Sequence, residues 1–393
     1  MAKLTIDQLA LSGRRVFLRA DLNAPLEAGA VADDTRPRAV VPTIQYALGA
    51  GASVVLASHL GRPKGNPTPE FSLRPIAEHL AGLLGRPVGL APDCVGDATA
   101  ALARALEPGQ VLLLENLRFH KEEEANDDTF ARELASLADC YVNDAFAAAH
   151  RAHASIEAIT HHLKPAAAGL LMQQELTALG KILERPERPL VAILGGAKVS
   201  DKVTLVEHLL ERVQALIIGG GMAFTFLRAL GHEVGRSLVE TDHVETARRV
   251  LDAARRRQVP LALPVDAVVA DGLDSPGGRV VGIREIPPGQ MGLDIGPLSV
   301  DRFRTALAGA RTIVWNGPMG VFEKPPFAEG TMALARVVAD ASAFSVVGGG
   351  DTVSAVHRAG VTGRIGYIST AGGAFLEFLE GRKLPGVEAL TEA

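Results

Sequence analysis

At 393 residues the chain exceeds the roughly 250–300 at which one hydrophobic core stops growing, so two domains are expected. Hydrophobic residues at 47% and charged residues at 22% exclude a disordered chain, and a net charge of −5 excludes broad nucleic-acid binding by a basic surface. The opening MAKLTIDQLALSGRRVF has no signal-peptide core and no stretch approaches the ~20 apolar residues of a membrane helix, so a cytoplasmic protein without a membrane partner is expected.

Short runs rich in Val, Ile and Leu recur along the chain, each followed by a loop signal and then a helical pattern. That alternation marks parallel sheets wrapped by helices. In the first half the runs are Arg15 to Leu18 (RVFL), Ser53 to Ala57 (SVVLA), Val111 to Leu114 (VLLL) and Cys140 to Val142 (CYV). The charge run Lys121 to Asp128 (KEEEANDD) reads as a solvated helix start. Cys94 and Cys140 match no metal-ligand spacing or CxxC motif and read as buried thiols in a reducing compartment. His161 and His162 read as surface residues. Pro165 to Leu183 (PAAAGLLMQQELTALGKIL) is a good helix former with proline at its start, and is read as the connector between halves. The second half continues with Leu190 to Leu194 (LVAIL), Ala215 to Ile218 (ALII), Thr312 to Trp315 (TIVW) and Phe344 to Val347 (FSVV), and closes on a predicted helix over Ala374 to Glu380.

Ligands of open parallel sheets bind beyond the carboxyl ends of the strands, so the residues after each run are the informative ones. In the second half they are glycines: Gly195-Gly196, Gly219 to Gly221, Gly348 to Gly350, and Gly372-Gly373 after YISTA. Glycine lets backbone N–H groups approach an anion, and a following helix adds its positive dipole end. One such pair is usually a tight turn; the recurrence points to polyphosphate. In GGAKVSDK the spacing predicts Lys198 and Lys202 on one face of the first helical turns, where a cation opposes the dipole unless an anion is bound. Asp351 in GGGDT is either an N-cap or a Mg2+ ligand, and spacing alone leaves both open. In the first half the ends are basic and hydrogen-bonding: Asp21 and Asn23 in ADLNAP, His59 and Arg62 in SHLGRP, Arg118 in ENLRFH, Arg151 between His150 and His153, and Arg36 in the early loop DDTRPR. Any one loop arginine reads as solvated, but several at one sheet rim repel one another unless a multiply charged anion joins them.

RADLNAP, SHLGRP, LENLRF, VNDAF, AHRAH, LGGAKVSDK, GGGMAFTF, MGLDIGP, VWNGPMGVFE and VGGGDT, in this order and across nearly the whole chain, resemble the signatures of the phosphoglycerate kinase family. The resemblance implies an α/β fold of two Rossmann-like three-layer αβα lobes with parallel sheets joined by a helical hinge. It divides the chain into an N-terminal lobe over 1–170, completed by 376–393, and a nucleotide-binding lobe over 171–375. It implies an enzyme, reversible transfer between 1,3-bisphosphoglycerate and ADP, Mg2+ as cofactor, closure by hinge bending, and a monomer with only small-molecule partners. Matched residue by residue, it puts Asp21, Asn23, Arg36, His59, Arg62, Arg118 and Arg151 on the acid substrate. It puts Lys202, Gly219, Gly220, Gly292, Glu323, Gly349, Gly350, Asp351 and Thr352 on the nucleotide, with Asp351 at the metal. Arg36, Lys198, Lys202, Gly372 and Gly373 are the expected catalytic group. Ala147-Ala148, Pro37 and Ala371 depart from the family's usual residues; Ala371, beside the transfer glycines, is tolerated if its φ is negative.

A nicotinamide dehydrogenase is disfavoured because no GxGxxG stands at a strand-to-helix turn, and a P-loop NTPase because GxxxxGK[ST] is missing. A hinged, non-enzymatic anion-binding protein is the alternative of another class; it would bind without turnover.

Overall fold

A computed structural model describes residues 3–393. The apolar runs of the first half form strands buried on both faces, as a parallel sheet covered by helices requires. In chain order they are β1 (Arg15–Arg19), a short antiparallel hairpin of β2 (Leu26–Glu27) and β3 (Ala30–Val31), then β4 (Ser53–Ala57), β5 (Val88–Leu90), β6 (Val111–Leu113), β7 (Cys140–Asn143) and β8 (Ala166–Ala168). Six of these make one parallel sheet in the order β5-β6-β4-β1-β7-β8, with Val16 opposite Val54 on one side and Cys140 on the other. The chain leaves β1 first toward β4 and later returns to its other side as β7, so the strand order reverses beside β1. A crevice opens beyond the carboxyl ends at such a reversal.

The helices are placed by their apolar stripes. In Arg74–Leu84, Ile76, Ala77, Leu80 and Leu84 are buried, Pro75 fits the first turn, and Gly85 at φ 64° ends the helix in a left-handed cap. Its Leu80 joins Ile44 of the helix Thr35–Gly49 and Leu18, Leu56, Leu113 and Val142 of the sheet in one core. Each such side chain contributes about 1.5–3 kcal/mol on burial.

The second half repeats the plan with β9 (Leu190–Leu194), β10 (Ala215–Ile218), β11 (Leu261–Ala262), β12 (Asp266–Ala270), β13 (Arg279–Gly282), β14 (Met291–Ile295), β15 (Thr312–Asn316), β16 (Phe344–Gly348) and β17 (Tyr367–Ile368). Six form a parallel sheet in the order β11-β10-β9-β15-β16-β17, whose reversal lies between β9 and β15. Ile193, Ile217, Ile313, Trp315 and Phe303 anchor its core. The other three form an antiparallel sheet, β13-β12-β14. The chain thus divides into two compact units, residues up to Thr177 with Lys383–Ala393, and Ala178–Arg382. Both are Rossmann-like α/β lobes.

Three local readings change. The predicted connector helix begins late: Ala166–Ala168 is strand β8, paired with Tyr141–Asn143, and the helix runs over Leu170–Leu183. Alanine favours helix, but strand pairing overrides that weak preference. Gly169, which separates the two, has no room for a side chain, since a Cβ there would lie 2.2 Å from Asp144 Oδ1. The division between units falls inside that helix, not at its start, and at the other end after Arg382. The helix Gly373–Leu379 packs on the helix Val203–Leu210 of the second unit, and only the segment from Lys383 onward joins the first. That tail is held by Thr391 N–H to Ala166 O at 2.9 Å, Gly386 N–H to Ala149 O at 2.9 Å, and Asn143 Nδ2 to Gly386 O at 3.2 Å. Third, Lys198 and Lys202 are not on a helix. Residues 197–202 form a loop, the helix starts at Val203, and Lys202 is its N-cap. The carboxylate of Glu240 accepts from Val199 N–H, Ser200 N–H and Ser200 Oγ, at 2.5, 3.0 and 2.6 Å, and these bonds hold the loop off helical geometry.

Candidate functional site

In the first unit, the loops after β1, β4, β6 and β7 carry Asp21 and Asn23, His59 and Arg62, Arg118, and Arg151. Asn23 Oδ1 accepts from Gly61 N–H at 2.9 Å, which ties the β1 loop to the β4 loop. Arg36, in the first turn of its helix, donates to Asn23 O at 2.9 Å and lies 3.4 Å from Asp21 Oδ2. Arg118 is buried, donates to Gly61 O at 2.8 Å and has Glu124 Oε1 3.3 Å from its Nε. Arg151 is half-buried, its Nε 3.1 Å from His150 Nε2. Arg62 is exposed and joins no ion pair among the described residues.

The charges converge. Burial first, then Arg19, Arg118, Arg36 and His153, drive the His59 imidazole well below its ordinary range, so it stands neutral and presents Nδ1 as acceptor to the Arg19 guanidinium at 3.2 Å. Burial first, then Arg19, Arg118 and Arg151, push His153 down to about 3. Arg118 is lowered by burial and by Arg19 and Arg151, partly offset by Glu124. The Arg19 and Arg151 charges thus work against that of Arg118, a condition that favours a multiply charged anion.

Arg19 and Glu123 were not singled out from the sequence. Arg19 is 1% exposed at the end of β1 and donates to Ser155 Oγ at 2.9 Å and to Ala20 O. Glu123 is fully buried and accepts from Ser155 N–H at 2.9 Å and Ser155 Oγ at 2.6 Å. Its carboxyl is pushed up by burial and held down in part by Arg19. A glutamate within KEEEANDD carried no signal that one of its three would turn inward. The other residues behave as read: His161 and His162 are exposed, Cys94 and Cys140 are buried, and Pro37 is buried in its helix's first turn.

In the second unit the loops after β9 and β15 flank the strand reversal. Lys202 folds back from its N-cap position and donates to Gly195 O at 2.6 Å, Asn316 Oδ1 at 2.6 Å and Asn316 O at 3.3 Å. Burial brings its ammonium down to about 8, against the pull of Asp201 and Asp351. Among the described residues no carboxylate lies within ion-pair distance of it. A partly buried cation held only by neutral acceptors is poorly compensated, and an incoming phosphate would complete it. Lys198 is exposed on the same loop.

The glycine tracts let these loops meet. Gly220 has φ 66°, and a Cβ there would lie 2.6 Å from the backbone N and O of Gly196 and 2.8 Å from Pro318 O. Gly349, at φ 93°, caps the helix Gly350–Arg358, which carries the exposed Asp351 on its first turn. Thr352 Oγ1 accepts from Gly317 N–H at 2.7 Å, and Asn316 Nδ2 donates to Gly348 O at 2.8 Å, so the loops after β15 and β16 are locked together. Beside them is a largely apolar cavity of about 460 Å³, lined by Gly220, Phe224, Gly292, Met319, Glu323 and Asp351 among others. Strand β14 of the antiparallel sheet supplies Gly292, whose N–H donates to Ser237 Oγ at 2.9 Å. Gly219 is packed under Met319 instead of facing this cavity, and Lys202, Gly349, Gly350 and Thr352 stand outside its lining. Buried Asp294 borders it, its carboxyl pushed up to about 7 by burial while accepting from Gly330 N–H at 2.7 Å and Ile295 N–H at 2.9 Å. Gly372 and Gly373 open the helix Gly373–Leu379, and Ala371 before them is buried with a φ outside the positive range. Alanine therefore fits there without strain.

A cavity of this size, apolar with a few convergent polar groups, suits a nucleoside base, with a phosphate tail leading to loop amides and Lys202. Asp351 offers a hard, accessible carboxylate oxygen, a donor that fits Mg2+.

The family model described as Phosphoglycerate kinase matches residues 6–382. The chain is 58% identical to the phosphoglycerate kinase of Moorella thermoacetica and 57% identical to that of Koribacter versatilis, over 100% of each chain. The structure of phosphoglycerate kinase from Coxiella burnetii matches with a TM-score of 0.91 at 43% identity, covering 98% of both chains.

Proposed function

The chain belongs to the phosphoglycerate kinase family, and from that premise we propose which of its residues perform the reversible transfer between 1,3-bisphosphoglycerate and ADP that yields 3-phosphoglycerate and ATP. Family members use ATP and ADP, generally with Mg2+. The acid substrate binds the first unit through Asp21, Asn23, Arg36, His59, Arg62, Arg118 and Arg151. The nucleotide binds the second, its base in the cavity beside Gly220 and Gly292, its ribose at Glu323, and its phosphates at Lys202 and the turn Gly349 to Thr352. Gly219 acts by letting Met319 close the cavity. Asp351 would hold Mg2+, which supplies charge neutralisation on the phosphates.

In the ATP-consuming direction the acceptor is a carboxylate, ionised at neutral pH, so no general base is required. The protein's task is to hold that carboxylate in line with the terminal phosphoryl group and to offset the charge on its equatorial oxygens. Arg36, Lys198, Lys202 and the amides at Gly372 and Gly373 are assigned to this role. Neutral His59 serves as a hydrogen-bonding group, not as a cation. The two units must close for the ligands to react, with the helix Leu170–Leu183 as the hinge. The enzyme works as a cytoplasmic monomer.

The observation that carries this reading is the half-buried Lys202 ammonium with neutral partners only, at a glycine-lined strand reversal. Steady-state kinetics of Arg36→Ala and Lys198→Ala test it. A fall in kcat far larger than any change in nucleotide affinity supports the assignment, and near-wild-type kcat in both removes it. Solution scattering tests closure: saturating both sites should reduce the radius of gyration, and an unchanged radius removes the hinge.

A further inference from the structure

Strands β5 and β6 pair in parallel, Leu90 beside Leu113, so the loops that leave their carboxyl ends run side by side. One loop brings Asp93 and Cys94, the other His120. A ligand atom from each of the three lies within 4.8 Å of the others. His120 Nε2 is 2.7 Å from Asp93 Oδ1, which also accepts from the Cys94 backbone N–H at 2.6 Å. The imidazole is stacked on Phe130 at 5.2 Å between centroids, and Thr99 Oγ1 donates to Asp93 O at 2.9 Å, so both loops are held in place. Cys94 is fully buried at the floor, whereas the side chains of His120 and Asp93 are 27% and 47% exposed and leave the cluster open to solvent.

A His–Asp ion pair accounts for two of these groups and leaves the thiol unexplained. The Nε2 proton points at a carboxylate that stands beside the thiol, and one dication replaces that proton and the thiol's own. We propose that Asp93, Cys94 and His120 form a binding site for a thiophilic divalent cation of the Zn2+ class, separate from the phosphoryl-transfer site. Thiolate, imidazole and a single carboxylate with an open fourth position is a donor set for Zn2+ and not for Mg2+. Metal–ligand bonds of about 2.0–2.3 Å put tetrahedral donors roughly 3.5 Å apart, within reach of side-chain rotation here. On binding, the thiol proton leaves to solvent and sulfur bonds the metal as thiolate. The proton that Nε2 holds against Asp93 leaves to solvent as well, the neutral imidazole keeps its proton on Nδ1 so that Nε2 coordinates, and Asp93 turns from accepting hydrogen bonds to ligating through one oxygen. No electron is transferred.

Co2+ added to the reduced full-length protein, without nucleotide or Mg2+, tests the site. The expected result is a thiolate-to-cobalt charge-transfer band that saturates at one equivalent and is displaced by Zn2+. The band should survive Cys140→Ser, disappear in Cys94→Ser, and require at least about tenfold more Co2+ in His120→Asn. Absence of the band, its persistence in Cys94→Ser, or its loss in Cys140→Ser overturns the proposal. Should Cys94→Ser fail to fold, His120→Asn, a change at a partly exposed side chain, decides alone: unchanged Co2+ affinity overturns it.

Discussion

Replacing Lys202 by methionine keeps most of the side-chain volume and removes the charge and three hydrogen bonds. The ammonium donates to Gly195 O and Asn316 Oδ1 at 2.6 Å and to Asn316 O at 3.3 Å, so the variant leaves acceptors of two loops without this donor. Each unsatisfied acceptor costs about 1–3 kcal/mol, but the wild type already bears the desolvation of a partly buried cation, and losing that charge offsets much of the cost. Stability should therefore change by no more than ~2 kcal/mol, or roughly 4–8 °C in melting temperature for a unit of this size. If Lys202 faces the phosphates as proposed, the transfer reaction loses a fixed charge there, a change that typically lowers kcat by about 10²–10³. Steady-state kinetics with 3-phosphoglycerate and ATP, paired with thermal unfolding, separates the two effects. A second signature is pH. Because burial brings the wild-type ammonium to about 8, its charge in the free enzyme is present below pH 8 and lost above it. Nucleotide kcat/KM should fall through that pH in the wild type and lack this step in the variant. A folded Lys202→Met with kcat within about threefold of wild type, or with the same step at pH 8, refutes the assignment.

Three further outcomes are expected. Glu123→Gln keeps one acceptor for Ser155, turns the other into an amide donor and removes the buried negative charge beneath the arginine cluster, so it should bind 3-phosphoglycerate several-fold more tightly while lowering the melting temperature; calorimetry and thermal melts check both. Gly220→Ala forces a side chain into a left-handed backbone 2.6 Å from Gly196, and should weaken MgADP binding by at least about tenfold while costing more than the ~1–2 kcal/mol of the backbone alone, measurable by titration and urea unfolding. Asp294, whose folded carboxyl is pushed up to about 7 by burial, contributes stability that is fully present below the ordinary carboxylate range and lost as pH rises through 7, so wild-type urea midpoints should decline between pH 5 and 8 more steeply than those of Asp294→Asn.

The parallel strands were legible because burial on both faces demands continuous apolar runs, and the glycine and arginine ends followed from the rule that ligands bind beyond such strands. What stayed hidden depended on contacts distant in sequence. Ala166–Ala168 is a strand because Tyr141–Asn143 lies beside it, not because of its own propensity. Lys202 leaves the predicted helix because Glu240, far along the chain, ties down Val199 and Ser200. The inward turn of Glu123, the neutral state of His59 and the packing of Gly219 under Met319 arise from three-dimensional neighbours that spacing does not encode. For the same reason Cys94, which matched no ligand spacing, meets Asp93 and His120 only through the pairing of β5 with β6.

The division of labour between the units is tested most directly by hydrogen exchange with one ligand at a time. With 3-phosphoglycerate alone, protection should rise at 20–25, 58–63, 116–120 and 149–153. With MgADP alone it should rise at 195–202, 219–221, 291–293 and 349–352. Protection of the first set by MgADP, or of the second by 3-phosphoglycerate, would contradict the assignment of the acid substrate to one unit and the nucleotide to the other.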